Sequence, residues 1–468
     1  MHSTDFLTDG TSGRTVTPAT RDRRRHPAPE PSRTADPDAY RRLDAHKVRQ
    51  LAVRTGPGPL TTLRFAVTQR IIAGTGGAAA SLRAWYRRYL FAQERRDLGT
   101  ARAILAVLKT PARVARTAWR DVRAFGPAAR DRYGVSLLTQ YRQLAWLALF
   151  RGINTDSYYR YQLFRADRRR QAHQFIQSVE IAALYRVLVV REAMDDFVVT
   201  EDKGVFERWC REHDLPTPAV LAEFEGGHPL SAGGAALPDR DLFSKLADGY
   251  GGAGARRWTM VAPGLWTADD GVVRDRHSLF MALARQSEGG RVILQERVEN
   301  HPALRGFSLG ALCTARILTS RAPDGAPELA RAAFRMPVGD SSTDNYSQGG
   351  IAAAVDEHGR LGTAVQAHER LIGVEVLAHP DSGVAFAGFQ LPEWSAAAAL
   401  AIRAHSQLTR IACVGWDVAL TIEGPVLIEG NFAPGVKSMQ MPFAAPLSAT
   451  NYLAHIDAHL RRSFARAR

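Results

Sequence analysis

The stretch GWDVALTIEGPVLIEGN, residues 415–431, gathers the residue types from which a divalent-cation site is built. It reads as two β-like runs joined by a turn at Glu423–Gly424, with Asp417 early on the first run and Glu429 and Asn431 closing the second. Residues 429 and 431 differ by two, so they project from the same face of a strand. Two carboxylates and an amide oxygen on adjacent strands form an all-oxygen cluster suited to Mg2+, with phosphate oxygens completing the octahedron. The spacing alone also allows an exposed hairpin whose acids are simply solvated.

A phosphate partner is offered upstream. LFSKLADGYGGAGARRW sets Lys245 in an apolar run ahead of Gly249, Gly251, Gly252 and Gly254. A lysine held on a strand can neutralise a phosphate, and a glycine-rich turn brings backbone N–H groups close to phosphate oxygens. The GxxxxGK[ST] pattern and the GxGxxG spacing before a helix are both missing, so phosphates are expected beneath a β-turn and not in a P-loop. Such hairpins are common and say little alone. EDKGVFERWCREHDLPTP starts a helix with Lys203 near its N-terminus and ends it at a Pro-bounded turn. RVILQERVENHP is an apolar strand running into a polar hinge, which can offer its backbone to an adenine edge with Glu296 or Glu299 near the ribose. An ordinary helix and an ordinary core strand remain open for these two. Five lysines stand against 56 arginines, a bias that makes each remaining lysine informative.

These groups need a scaffold, and the sequence after Asp196 supplies an α+β texture. Short β-like runs (LFSKLA, RRWTMV, RVILQERV, TARILTS, QGGIAAAVDEHGRLGTAV and the 415–431 pair) are separated by Gly, Pro, Asn and Asp. Helices are predicted at Lys203–His213, Ser278–Gln286, Ser395–Cys413 and Ala449–Arg466. Ahead of this domain, residues 47–195 read as a basic helical region, for example LRAWYRRYLFAQERRDL and LLTQYRQLAWLALF. Residues 1–46 have almost no large apolar residue and are expected to be a disordered tail.

Net charge is +14, yet residues 47–195 carry 27 basic and 9 acidic side chains while residues 196–468 carry 26 and 31. The excess is therefore local, and it describes either a helical bundle with solvated arginines or a face for an anionic membrane or acidic carrier; nucleic acid is the least expected partner. Cys210, Cys313 and Cys413 lie far apart without CxxC or Cys/His pairing, which argues against a zinc site or a disulfide framework. The beginning of the sequence has no apolar h-region and no run reaches about 18 apolar residues, so a cytoplasmic setting is expected.

The order of these pieces carries more than any one of them. Helix lysine, LPTP, strand lysine with glycine loop, QERV hinge, the arginine strand TARILT and finally D(x11)ExN resemble the ATP-grasp superfamily. The match is closer to its sugar-transfer-associated members, related to alpha-L-glutamate ligases, through GINTDSYYRYQLF, DNYSQGGIAAAVD, AHPDSG, LPEW and SMQMP, over residues 135–460. The resemblance implies an ATP-grasp fold of two α+β subdomains gripping ATP, with ATP and Mg2+ as cofactors. It implies that Lys203 and Lys245 meet the nucleotide phosphates, that Gln295, Glu296 and Val298 form the adenine hinge, and that Asp417, Glu429 and Asn431 hold the metal. Arg316 and Arg335 are then candidates for a substrate carboxylate or the γ-phosphate, since guanidinium pairs such groups bidentately. His379, Asp381 and Asp344–Asn345 would shape the acceptor side, and Lys437 is expected to be solvated.

One departure stands out. Peptide-forming ATP-grasp ligases often carry an arginine two residues before the first metal aspartate, where this chain has Gly415. A stabilising cation must come from elsewhere, with Arg316 the candidate. The expected activity is an ATP-dependent carboxylate–amine ligase acting through an acyl phosphate on small, free or carrier-bound substrates. Two alternatives are a phosphotransferase with a hydroxyl acceptor and an anionic-surface-binding module with a regulatory ATP site.

Overall fold

The computed structural model describes residues 82–86, 109–178, 180–181, 184–185, 188, 193–232, 237–249, 254–341, 343–346, 349–366 and 373–465. The expected tail at 1–46, Tyr89, and Gly251 and Gly252 of the glycine loop lie outside them. All described residues belong to one compact unit, Pro57–Arg468.

The first described helices are α1 (Thr110–Tyr133), α2 (Leu137–Arg151), α3 (Thr155–Arg160) and α4 (Ala166–Arg170). Local chemistry fixes their ends. Gly134 takes a left-handed conformation (φ +70°) and its N–H closes α1 on the Arg130 carbonyl at 2.8 Å. Ser136 and Asn154 cap α2 and α3 by accepting from the N–H groups of Thr139 and Ser157.

Next come α5 (Met194–Glu201) and α6 (Lys203–Glu212), then strands β1 (Val220–Glu225), β2 (His228–Ala232), β3 (Leu242–Leu246), β4 (Arg256–Ala262), β5 (Leu265–Thr267) and β6 (Val273–Arg274). Helix α7 (Arg276–Ser287) and strand β7 (Val292–Glu296) complete this lobe. Its sheet is antiparallel with order β2-β1-β7-β3-β4-β5-β6, and α7 buries Leu279 and Leu283 against Phe224, Trp258 and Leu294.

The second sheet holds β8 (Thr314–Arg321), β9 (Pro327–Met336), β10 (Ile351–Val355), β11 (Leu361–Gln366), β12 (Val374–Val376), β13 (Cys413–Thr421) and β14 (Gly424–Asn431), in the order β12-β11-β10-β9-β8-β13-β14. Helix α8 (Trp394–Gln407) packs on one face through Ala397, Leu400 and Ala401. On the other face lie α9 (Tyr452–Ala465) and the N-terminal helices, where Ala118, Val122, Tyr158 and Tyr159 share a core with Tyr346, Ala352, Val365 and Met441.

Two expected helices are shorter in the structure. The one predicted over Ser395–Cys413 ends at Gln407, because Cys413 opens a strand buried on both faces between β8 and β14. Tertiary pairing there overrides an alanine-rich helical pattern. The last helix begins at Tyr452, with Leu447–Ala449 forming a separate 3-10 turn. The hairpin turn also moves by one residue: Gly424 is already paired with Thr421, so Ile422 and Glu423 make the turn and Gly424 carries its positive φ of +114°.

Candidate nucleotide-binding site

Strand register assembles the charged side chains of the second sheet into a row. Thr314 on β8 pairs with Arg335 on β9, Arg316 pairs with Asp417 on β13, and Asp417 pairs with Glu429 on β14. Partners directly opposite in an antiparallel sheet point to the same face, so these residues converge without any loop to place them. Arg316 grips Asp417 bidentately, its NH2 group 2.7 Å from Oδ2, and Arg335 adds a contact at 2.9 Å. Arg335 also reaches Asp344 at 3.1 Å and Thr314 Oγ1 at 2.9 Å, while the Thr314 hydroxyl donates to Asp344.

Burial alone would raise the Asp417 carboxyl, but Arg316 and Arg335 outweigh it and hold it at about 2. Asp344 moves the other way, because burial and the Asp417 charge exceed what Arg335 returns. The Arg335 guanidinium is raised despite burial by Asp344, Asp417 and Glu429 around it.

A bulge sits beside this row: Val418 pairs with Leu427 while Asp417 pairs with Glu429, which leaves Ile428 as the extra residue. Both Ile428 and Glu429 consequently line the cleft, a consequence the regular alternation of a strand would forbid. Asn431 donates its amide to Glu429 Oε1 at 3.2 Å and to the Gly415 carbonyl at 3.3 Å.

Facing this row is strand β3, whose Phe243 and Lys245 share a face and whose Ser244 turns inward to accept from Trp258 Nε1. Lys245 has no ion pair or hydrogen bond among the described residues. Burial, followed by the nearby Lys203, lowers its ammonium to about 8, against the pull of Glu429 and Asp417. Lys203 is the first residue of α6. Asp202 caps that helix by accepting from Gly204 and Val205, and it is itself paired with the buried Arg291. Lys203 Nζ donates to the Gly249 carbonyl at 2.7 Å and lies 3.9 Å from Glu429, and its backbone N–H bonds Ala247. It ties the glycine turn to the β13–β14 hairpin.

The resulting cleft, about 260 Å3, is lined by Lys203, Lys245, Gly249, Arg316, Arg335, Asp344, Asn345, Asp417, Glu429 and Asn431. Gly254 adjoins the turn with φ +70°, its carbonyl held by Gln286 at 2.6 Å. The hinge residues are not among the lining groups. Gln295 donates to the Pro218 carbonyl at 3.0 Å, Glu296 pairs with Arg240 at 2.9 Å, and Val298 and Glu299 follow the strand, Glu299 exposed. Apolar lining comes instead from Phe243, Leu246, Leu312 and Ile428. Phe243 and Thr314 stand two residues before Lys245 and Arg316, so period-two reading could have found them; Leu312 and Thr200 carry no such signal.

Lys437 is neither in the cleft nor simply solvated: its ammonium sits 3.3 Å from Asp156 of α3. His379 is buried against the Pro337 carbonyl, and Asp381 accepts from the Gly339 N–H at 2.7 Å, so the two knit neighbouring loops. Gly415 has a structural reason. A Cβ there would lie 2.7 Å from Pro434 Cβ and 3.4 Å from Arg316 Cδ. An arginine side chain cannot start from that position, and Arg316 already lies across it.

Whether the acidic row suits a hard cation can be tested on its donors. Asp417 gives both oxygens to guanidinium groups, but a carboxylate has about four lone-pair sites and can bridge. Glu429 is partly exposed toward the cleft, and Asn431 stands beside it. No cluster of three His, Cys, Asp or Glu side chains among the described residues is placed to hold an ion alone, so a cation here would depend on Asn431 and on phosphate oxygens. That donor set is oxygen-only and incomplete without a ligand, which fits Mg2+ carried with a nucleotide.

Two antiparallel sheets with a lysine-and-carboxylate cleft define the ATP-grasp class of architecture. The chain belongs to the sugar-transfer associated ATP-grasp family, which it matches over residues 190–458. Solved structures similar to it include an N5-carboxyaminoimidazole ribonucleotide synthetase in its ADP complex (13% identity, 50% of this chain and 45% of that one, TM-score 0.30). Others are an L-amino acid ligase from Bacillus licheniformis (10%, 60% and 54%, 0.31) and a D-alanine–D-alanine ligase from Bacillus anthracis (12%, 64% and 86%, 0.34). The chain spans about half the length of the first two. No curated protein matches it.

Proposed function

We propose that this protein is an ATP-dependent carboxylate–amine ligase. Four cationic side chains, Lys203, Lys245, Arg316 and Arg335, line one cleft together with Asp417, Glu429 and Asn431, and this single arrangement carries the reading. Lys245 has no partner among the described residues and Lys203 bridges the glycine turn to Glu429, which suits both to nucleotide phosphates, with Phe243, Leu246, Leu312 and Ile428 offering an apolar wall to the base. Asp417, Glu429 and Asn431 would hold Mg2+, which when bound neutralises phosphate charge and orients the transferring group.

The carboxylate oxygen of the acid attacks the γ-phosphorus, ADP leaves, and the acyl phosphate forms. The amine then attacks the acyl carbon, inorganic phosphate departs and the amine proton passes to solvent. Arg316 and Arg335 stabilise negative charge on the acid and on the departing phosphate, and Arg316 replaces the cation that Gly415 cannot supply. Every step is one of positioning and charge compensation, without an enzyme nucleophile.

An ADP-release assay with mixed amino acids, sugar acids and carrier-bound acids tests this reading. Release should require both an acid and an amine, and hydroxylamine should trap the acyl group as a hydroxamate. A stable phosphorylated product formed without any amine would instead identify the hydroxyl-acceptor alternative.

A further inference from the structure

Exposed apolar surface is distributed unevenly. Among the described residues, the exposed large aromatic side chains are Trp119, Trp146 and Phe150, at 50%, 49% and 44%, and all three lie on the α1–α2 hairpin. Other exposed large apolar side chains in the described lobes are aliphatic. On α2, Leu138, Arg142, Trp146 and Phe150 recur every four residues and all are exposed, which makes one stripe about 18 Å long at 1.5 Å per residue. Trp146 and Phe150 pack ring to ring at 5.8 Å, and Arg151 lies over Trp146 at 5.6 Å. Trp119 joins from α1, its ring edge-on to Tyr141 at 5.8 Å.

Three arginines around these rings form no ion pair among the described residues. Arg116 and Arg123 stand three residues before and four after Trp119, on the same face, and with Arg142 they are exposed and form no ion pair among the described residues. Between α2 and α4 a shallow groove of about 490 Å3 is lined by Arg142, Trp146, Arg169 and Arg170. No helix among the described residues is long and apolar enough to cross a membrane.

From this surface we infer that the α1–α2 hairpin docks flat onto a bilayer containing anionic phospholipid. Trp119, Trp146, Leu138 and Phe150 enter the headgroup boundary and the unpaired arginines meet lipid phosphates, the groove beside Trp146 receiving one of them. A polyanion without an apolar layer satisfies the guanidinium groups alone and leaves Leu138, Trp146 and Phe150 in water. The inference is independent of the proposed reaction.

Vesicle co-sedimentation of the full chain tests it, comparing phosphatidylcholine alone with vesicles that are roughly one-third phosphatidylglycerol. Two triple variants accompany it: Arg116→Glu, Arg123→Glu and Arg142→Glu together, and Trp119→Ser, Trp146→Ser and Phe150→Ser together. Both change exposed side chains only, so the fold should persist, as far-ultraviolet circular dichroism and Tm will show. Binding is expected on the anionic vesicles alone, to weaken steeply between about 0.1 M and 0.5 M salt, and to fall at least about tenfold in each variant. Absence of binding at low salt overturns the inference. So does equal binding by either variant, or tighter binding of polyglutamate or single-stranded RNA than of the vesicles.

Discussion

Neighbouring carboxylates can differ completely in what they hold up, and Asp417 and Glu429 do. Asp417 is buried between Arg316 and Arg335, so Asp417→Asn takes from Arg316 its ion-pair partner among the described residues and leaves Arg335 with Asp344 alone. It should cost about 3 kcal/mol of stability as well as turnover, read from urea unfolding and ADP release. Glu429 is only half-buried and, among the described residues, accepts from Asn431 and lies beside Asp417 and 3.9 Å from Lys203 without a guanidinium gripping it, so Glu429→Ala should abolish turnover with Tm nearly unchanged, and Glu423→Ala in the turn should do neither. Lys245 gives a pH signature. Its folded value of about 8 lies below the ordinary 10.5, so the unfolded chain binds more protons between those values and the ligand-free protein gains stability as pH rises through that window. ATP opposes this by favouring the charged ammonium. Calorimetry at a pH of about 9, in buffers of different ionisation enthalpy, should therefore show proton uptake on ATP binding that Lys245→Arg removes. At this scale the sequence was most legible where side-chain type was decisive: lysines scarce among arginines, and acids on a D(x11)ExN hairpin. That Arg316 and Arg335 would both close on Asp417 depended on register across three strands, which residue spacing does not encode.

At the scale of elements, paired strands aim the site and small residues let them approach. Gly415 lets Pro434 close on β13 with the stem of Arg316 beside it, so Gly415→Ala should displace Pro434. A loss of about 1–3 kcal/mol is expected by thermal unfolding, with turnover down about tenfold or more because the segment from Asn431 to Pro434 shifts at the cleft. Unchanged Tm and turnover would show that Pro434 is not needed where it stands. The strands that carry charge, β3, β8, β13 and β14, were readable from alternation and from bounding Gly and Pro. Strands β1, β2, β5, β6, β9 and β12 were not among the predicted runs; most are short segments whose patterns are ordinary until partners exist, and β9 reads PELARAAFRM, a composition that favours helix. The Ile428 bulge was also invisible, because an extra residue shows itself only in pairing, and it brings an apolar side chain beside Glu429.

Across the whole molecule, the N-terminal helices are part of the core that supports the cleft's sheet. Ala118 and Val122 of α1 pack with Tyr158 and Tyr159 against Ala352 and Val365, and Lys437 beyond β14 is paired with Asp156 of α3. Deletion of residues 1–134 removes α1 and uncovers that apolar face, so the shortened chain should aggregate or lose its cooperative unfolding transition. Deletion of residues 1–46 should leave ADP release unchanged. The basic character of residues 47–195 was plain from composition; that its helices cover a sheet from the second lobe follows from long-range packing that no local pattern reports. The central claim is that a carboxylate is phosphorylated in this cleft before an amine attacks. Its most direct test is oxygen transfer, using the acid–amine pair that supports ADP release, with both carboxylate oxygens labelled with 18O. Each released phosphate should carry one labelled oxygen. Unlabelled phosphate released with ADP would contradict the account.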